Sequence, residues 1–186
     1  ANIDDNVGAM RAFLKKEGLA ENTIFIFTTD NGTSSGAHIH NNGMRGRKGS
    51  EYDGGHRVPF FIHWPKGGLT SGRDVDTITS YVDVVPTLID YCRVPSPKGV
   101  NFDGVNIRPL IEKKAKNWPD RILVTDSQRV RDPIKWRKSS VMTDQWRLVN
   151  GKELYDINAD PGQKKNIAAD NPKVVARLTK FYDAWW

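Results

Sequence analysis

One cysteine, Cys92, stands in the 186 residues. That excludes an intrachain disulfide and any multi-cysteine zinc site, and leaves the redox compartment open. No apolar run approaches the roughly 20 residues that cross a bilayer. Nor does a basic region followed by an apolar stretch open the chain, as a secretory signal would. An initiator methionine is missing too: Ala1 leads almost at once into a helical pattern. The expectation is a piece of a longer protein, with its start and any targeting signal upstream. Low-complexity tracts are also lacking. Six Trp, seven Phe and five Tyr supply bulky apolar groups that disordered chains usually lack, so a folded domain is expected, alone or with a small lobe.

Positive charge is in surplus, 28 Lys and Arg against 22 Asp and Glu. A basic surface can attract nucleic acid, sulfated or phosphorylated polymers, or an acidic partner, and charge alone does not choose among them. The clusters Lys113, Lys114, Lys116 and Lys164, Lys165 read as solvated faces.

The spacing of Val7, Met10, Phe13 and Leu14 predicts a helix capped by Asp4 or Asp5 and stopped at Gly18. Ile24-Phe25-Ile26-Phe27 reads as a strand buried on both faces, of the parallel type. A polar, glycine-rich segment then runs to Arg57, longer than connections without a function usually are. Val58 to Trp64 predicts a second strand. Tyr81 to Cys92 predicts a helix with Val82, Val85, Leu88 and Ile89 on its apolar face, and Arg108 to Glu112 a helical turn. After Trp118 the pattern changes to short alternating runs at 122–124, 139–142, 146–149 and 153–157, which predict antiparallel strands. Asp170 or Asn171 caps a last helix, whose apolar face holds Val174, Val175, Leu178, Phe181, Tyr182 and Trp185. The expected boundary separates an α/β part, residues 1–118, from a small antiparallel sheet plus helix, residues 119–186.

Asp30 and Asn31 follow the first strand, where ligands gather in open α/β sheets. A carboxylate and an amide carbonyl are hard donors suited to Ca²⁺ or Mg²⁺. From the local residues alone, Asp30-Asn31-Gly32 reads more readily as a turn that merely closes the strand. In Gly43-Met44-Arg45-Gly46-Arg47-Lys48-Gly49-Ser50, Lys48 could act as a point charge on sulfate or phosphate, or belong to a solvated basic loop. A P-loop is excluded because Gly49, not Ser or Thr, follows Lys48. Arg45-Gly46-Arg47 offers a weak minor-groove hook. His38 and His40 are candidate substrate contacts or exposed loop residues. His56 reads as a hydrogen-bonded turn residue, and Asp53 and Arg57 as braces of the same turn. Cys92 reads as a small core residue.

Taken in order, Thr28-Thr29-Asp30-Asn31-Gly32, Lys48 through Pro59, Asp83 through Leu88, Phe102-Asp103-Gly104, Glu153 through Asp156 and Asp160-Pro161-Gly162 resemble the C-terminal part of a formylglycine-dependent, arylsulfatase-like sulfatase of the alkaline-phosphatase-like superfamily. The ordered blocks cover nearly the whole chain. The resemblance implies a partial alkaline-phosphatase-like mixed sheet with helices, followed by the small sheet and helix. It implies that Asp30 and Asn31 ligate a divalent cation, usually Ca²⁺ with Mg²⁺ as the alternative, and that Lys48 contacts the substrate sulfate. It also implies a formylglycine nucleophile, made from the cysteine of a Cys-x-Pro-Ser-Arg motif upstream. Cys92-Arg93-Val94-Pro95-Ser96 does not fit that motif, since its proline comes one position late.

The expected activity is therefore sulfate-ester hydrolysis in the intact protein, acting on a sulfated small molecule or glycan, with this segment alone expected to be inactive. The expected partner is the N-terminal half of the catalytic domain, and exposed strand edges would otherwise favour self-association. Nucleic acid is not expected as a partner. Periplasmic or extracellular residence follows from family habit. Two alternatives stay open: a phosphoesterase or phosphonate-ester hydrolase of the same superfamily, and a non-catalytic polyanion-binding module.

Overall fold

The structure, a computed structural model, describes residues 2–70 and 72–186. Contacts divide the chain into two units, Ala1–Thr29 with Pro59–Asp74, and Asp30–Val58 with Val75–Trp186.

In the first unit, helix α1 spans Asn2–Lys16. Asp4 and Asp5 sit inside its first turn rather than capping it, where their charge favours the N-terminal end of the helix dipole. Gly18 ends the helix in the left-handed region at φ 70°, as the sequence predicts. No residue of α1 is buried, and Met10 and Phe13 of its apolar face are 56% and 58% exposed. Strand β1, Phe25–Thr28, pairs with β2, Phe60–His63, and with no other strand among the described residues. The pairing is antiparallel, Phe25 opposite His63 and Thr28 opposite Phe60. The expectation of a strand buried on both faces is corrected: Phe25 to Phe27 are only half-buried. Such burial needs a packed layer on each side, and the described residues of this unit offer one α-helix, two 3₁₀ turns and a two-stranded sheet.

The second unit contains the short helix α2, Asp53–His56, then α3, Val84–Cys92, and α4, Arg108–Ile111. A 3₁₀ turn, Tyr81–Asp83, leads into α3. The face that α3 buries is not the predicted one. Asp83, Thr87 and Tyr91, four residues apart, are buried, while Val82 and Val85 are 46% and 53% exposed. Polar groups at Asp83 and Thr87 can be buried because each finds partners: Arg121 donates two hydrogen bonds to the Asp83 carboxylate at 2.8 and 2.9 Å, and Ile107 N donates to Thr87 Oγ1 at 3.0 Å. Cys92 is exposed, which corrects its assignment to the core. It follows Tyr91 on the helix and so turns about 100° away from the buried stripe.

Strands β3, Leu123–Asp126, β4, Ser139–Met142, β5, Trp146–Val149, and β6, Glu153–Asp156, form an antiparallel meander in chain order. Asn150-Gly151, at φ 52° and 66°, form the turn between β5 and β6, closed by Lys152 N donating to Val149 O at 3.0 Å; a type I′ turn requires both angles to be positive. Alternation then sorts the side chains. Val141, Leu148 and Leu154 pack with Leu178 and Tyr182 of α5, Pro172–Trp185, to form the core. Each fully buried leucine stabilises by about 1.5–3 kcal/mol. The buried stripe of α5 omits two predicted members, Phe181 and Trp185, which are exposed. Asn171 occupies the cap position and Pro172 the first turn, as expected.

Candidate functional site

Every sequence-predicted site residue lies in the second unit, within the glycine-rich stretch that links β1 to β2. Asp30 is exposed and Asn31 half-buried. The Asn31 amide donates to Asp30 Oδ2 at 2.6 Å, which orients the two side chains toward each other. Gly32 N donates to the Gly55 carbonyl at 3.0 Å, and a Cβ on Gly32 would overlap the Gly54 carbonyl oxygen. The Asp-Asn-Gly segment thus rests directly on α2, at a separation only glycine permits.

The Lys48 segment reaches the same helix from another side. Gly54 N donates to Arg45 O at 2.8 Å, and Cβ atoms on Gly54 and Gly55 would meet the backbone of Arg45, Arg47 and Ser50. Lys48 N donates to Thr33 O at 2.9 Å, a direct tie to the strand-end segment. The Lys48 side chain is exposed. Two glycines therefore bring the carboxylate–amide pair and the lysine to adjoining segments. His38 and His40 lie between these segments in sequence and are exposed; no hydrogen bond among those described joins them to Asp30, Asn31 or Lys48.

Beneath this loop pair is a polar layer. Asp53 is fully buried, and Arg147 of β5 donates to its Oδ1 at 2.9 Å. Arg57 lies 3.7 Å from Oδ2, and Asp53 N donates to Gln163 Oε1 at 2.9 Å. Asp53 and Arg57 brace the turn, as the sequence suggests. His56 Nε2 donates to Glu51 O at 3.2 Å; burial lowers its pKa, and the nearby Asp53 carboxylate and the Glu51 carbonyl offset part of that. Tyr52 Oη donates to Glu153 Oε2 at 2.9 Å, and Tyr155 Oη donates to the same oxygen. Burial, followed by the hydrogen bond and charge of Glu153, pushes the Tyr155 phenol up to about 12 and raises Tyr52 as well.

Local sequence does not reveal Arg147 or Gln163 as partners of Asp53, which lies 94 and 110 residues away from them. The only hint is the charged residue in Trp146-Arg147-Leu148-Val149, a strand otherwise apolar, since a buried arginine needs a carboxylate.

As cation ligands, Asp30 and Asn31 have the right chemistry for Ca²⁺ or Mg²⁺ and too few oxygens, because Ca²⁺ takes about six to eight. No group of three or more His, Cys, Asp or Glu side chains suited to a metal occurs among the described residues.

The model of the Sulfatase family matches residues 1–94. The chain belongs to the sulfatase family. It is 33% identical over 172 residues to an arylsulfatase of Clostridium perfringens, covering 89% of this chain and 34% of that protein. It is 26% identical to an N-acetylglucosamine-6-O-sulfatase of Bacteroides thetaiotaomicron, covering 89% of this chain and 30% of that protein. Among solved structures, Ps i-CgsB in complex with a neocarrahexaose superposes with a TM-score of 0.85 at 26% identity, over 98% of this chain and 40% of that one. The fold is accordingly that of the sulfatases, alkaline-phosphatase-like. The chain spans about a third of the length of the curated relatives it matches.

Proposed function

We propose that the protein carrying this chain hydrolyses a sulfate ester, and that this segment supplies one side of its anion and cation site. Lys48 contacts the sulfate; Asp30 and Asn31 furnish two ligands to a divalent cation, Ca²⁺ or Mg²⁺. The observation that carries this reading is the meeting of both segments over Gly54 and Gly55, with Lys48 N bonded to Thr33 O.

A sulfate ester resists attack because its peripheral oxygens repel a nucleophile. Lys48, a compact cation on a glycine-flanked backbone, neutralises the negative charge on those oxygens so that a nucleophile can reach the sulfur, while the electron pair of the breaking ester bond leaves with the alcohol oxygen. A bound cation would add Lewis-acid stabilisation at the same oxygens. The Asp30 carboxylate and the Asn31 amide oxygen would hold it, together with ligands from the remainder of the protein. The nucleophile, by family resemblance a formylglycine, is not supplied by these residues, since Cys92 stands outside the required motif.

His38 and His40 are proposed to face the leaving group. A sulfated sugar is the favoured substrate, supported by the name of a relative, an N-acetylglucosamine-6-O-sulfatase, and by a structural neighbour in complex with a neocarrahexaose. Residues 1–118 are taken as the C-terminal portion of the catalytic α/β domain and 119–186 as its small subdomain, with the N-terminal half of the domain as their partner. Periplasmic or extracellular residence fits the kinds of relatives matched.

The test is hydrolysis of an aryl sulfate and an aryl phosphate by the intact, formylglycine-bearing protein. Sulfatase activity that falls about 10²–10³-fold on Lys48→Ala supports the reading. Preference for the phosphate ester would favour a phosphoesterase. Loss of neither activity on Lys48→Ala or Asp30→Ala would remove these residues from the site.

A further inference from the structure

The Lys48 segment has no regular secondary structure, and Gly46 and Gly49 on either side of the lysine adopt φ 86° and 80°. Backbone of this kind does not hold a lysine in place unaided. Two ties fix its ends, and both finish on one face of the C-terminal sheet. Upstream, Arg45 stacks on the Tyr52 ring at 3.9 Å and donates to Tyr155 Oη at 2.8 Å and to Gln163 O at 3.1 Å. Glu153 completes this tie: it accepts from both phenols, and its carboxylate lies 3.6 Å from Arg45 Nη1. Downstream, α2 is held through Asp53 by Arg147, whose guanidinium also donates to the Trp146 carbonyl at 3.0 Å and to Thr143 O.

Arg147 pairs with Tyr155 across β5 and β6, and Glu153 lies two residues before Tyr155 on the same face. The opposite face, through Leu148 and Leu154, packs on α5. The sheet is therefore sided: one face builds an apolar core, and the other holds the segment that bears Lys48.

We propose that Arg147 and Glu153 are positioning residues for Lys48, acting through Asp53 and through Tyr52 and Arg45. This rests on the reading of Lys48 as the sulfate contact. A group that stabilises developing charge works by being held in place before the reaction, and remote side chains that loosen it weaken the transition state more than substrate binding. Such a role differs from simple stabilisation of the fold in one measurable respect: it disappears when Lys48 is gone.

The experiment is a double-mutant cycle in the intact, formylglycine-bearing protein, with kcat and KM on an aryl sulfate and the melting temperature of each variant. Glu153→Gln is expected to lower kcat about tenfold or more with KM changed less than about twofold. In the Lys48→Ala background the same substitution is expected to cost less than about twofold. Arg147→Lys should behave alike, keeping the charge beside Asp53 but losing the fork. Tyr52→Phe removes one hydroxyl without changing shape; it is expected to show a smaller loss with the same dependence on Lys48, and it serves if the charged variants do not fold. Equal losses in both backgrounds would overturn the proposal and leave these residues as parts of the scaffold. If Lys48→Ala alone leaves kcat unchanged, the sulfate-contact reading fails, visibly and by itself, and the positioning role falls with it.

Discussion

Gly32 lies so close to Gly54 that the only side chain tolerated at position 32 is a hydrogen atom. The contact is backbone against backbone, and Gly32 N also donates to Gly55 O at 3.0 Å. Gly32→Ala is expected to push the Asp30–Asn31 segment off α2. The proposed sulfatase activity of the intact protein should drop steeply while the C-terminal core, remote from the change, stays folded. Activity at the wild-type level in a purified Gly32→Ala protein would show that the packing is not needed.

Asp53 and Arg147 form a buried ion pair, 0% and 7% exposed. Removing one partner leaves the other charged and without water, which costs about 3–5 kcal/mol in known cases. Arg147→Met is expected to destabilise by that order in urea unfolding, and Asp53→Asn together with Arg147→Met to recover part of the loss. A double variant no more stable than the single one would count against the pair as the cause.

Asp83 carries a pH-dependent part of the stability. Burial pushes its carboxyl up, but hydrogen bonds from Arg121 and from the backbone N–H of Val105 and Ser80, with the Arg121 charge, outweigh it and hold the pKa below the ordinary range. A depressed folded-state pKa means that the unfolded chain binds the proton first. The stabilisation is therefore complete above the unfolded value of about 3.9 and lost as pH falls through the lower folded value. Urea midpoints measured from about pH 6 down to pH 2 should fall with acid in the wild type and fall less in Asp83→Asn, which starts lower. Parallel curves would refute the assignment.

Cys92 is exposed at the end of α3. One thiol is expected to react with a thiol reagent in native buffer, without denaturant, and Cys92→Ser to change stability by less than about 0.5 kcal/mol. Protection that ends only on unfolding would return this residue to a core.

The apolar face of α1 is open in its own unit, with Ile3, Met10 and Phe13 each more than half exposed. Expressed by itself, the chain is expected to bind a hydrophobic dye and to associate, and Met10→Lys with Phe13→Glu to reduce both. A monomer without dye binding would argue against this face as a sticky surface.

The sequence by itself determined most of the elements. Period and punctuation located α1, α3, α5 and the four-stranded meander, because local hydrophobic spacing, Asn150-Gly151 and Pro172 act over a few residues. The ordered motifs also determined the family. Which face each element buries was less legible. Val82 and Val85 looked like a core stripe on α3, yet Asp83 and Thr87 are buried in their place because Arg121 and Ile107, distant in sequence, satisfy them. The same holds beneath the candidate site. Asp53, Tyr52 and Arg45 find Arg147, Glu153, Tyr155 and Gln163 only after about a hundred intervening residues have folded. Such partnerships leave no local trace, since a buried charge specifies only that some partner must come, and the tertiary structure alone decided which one did.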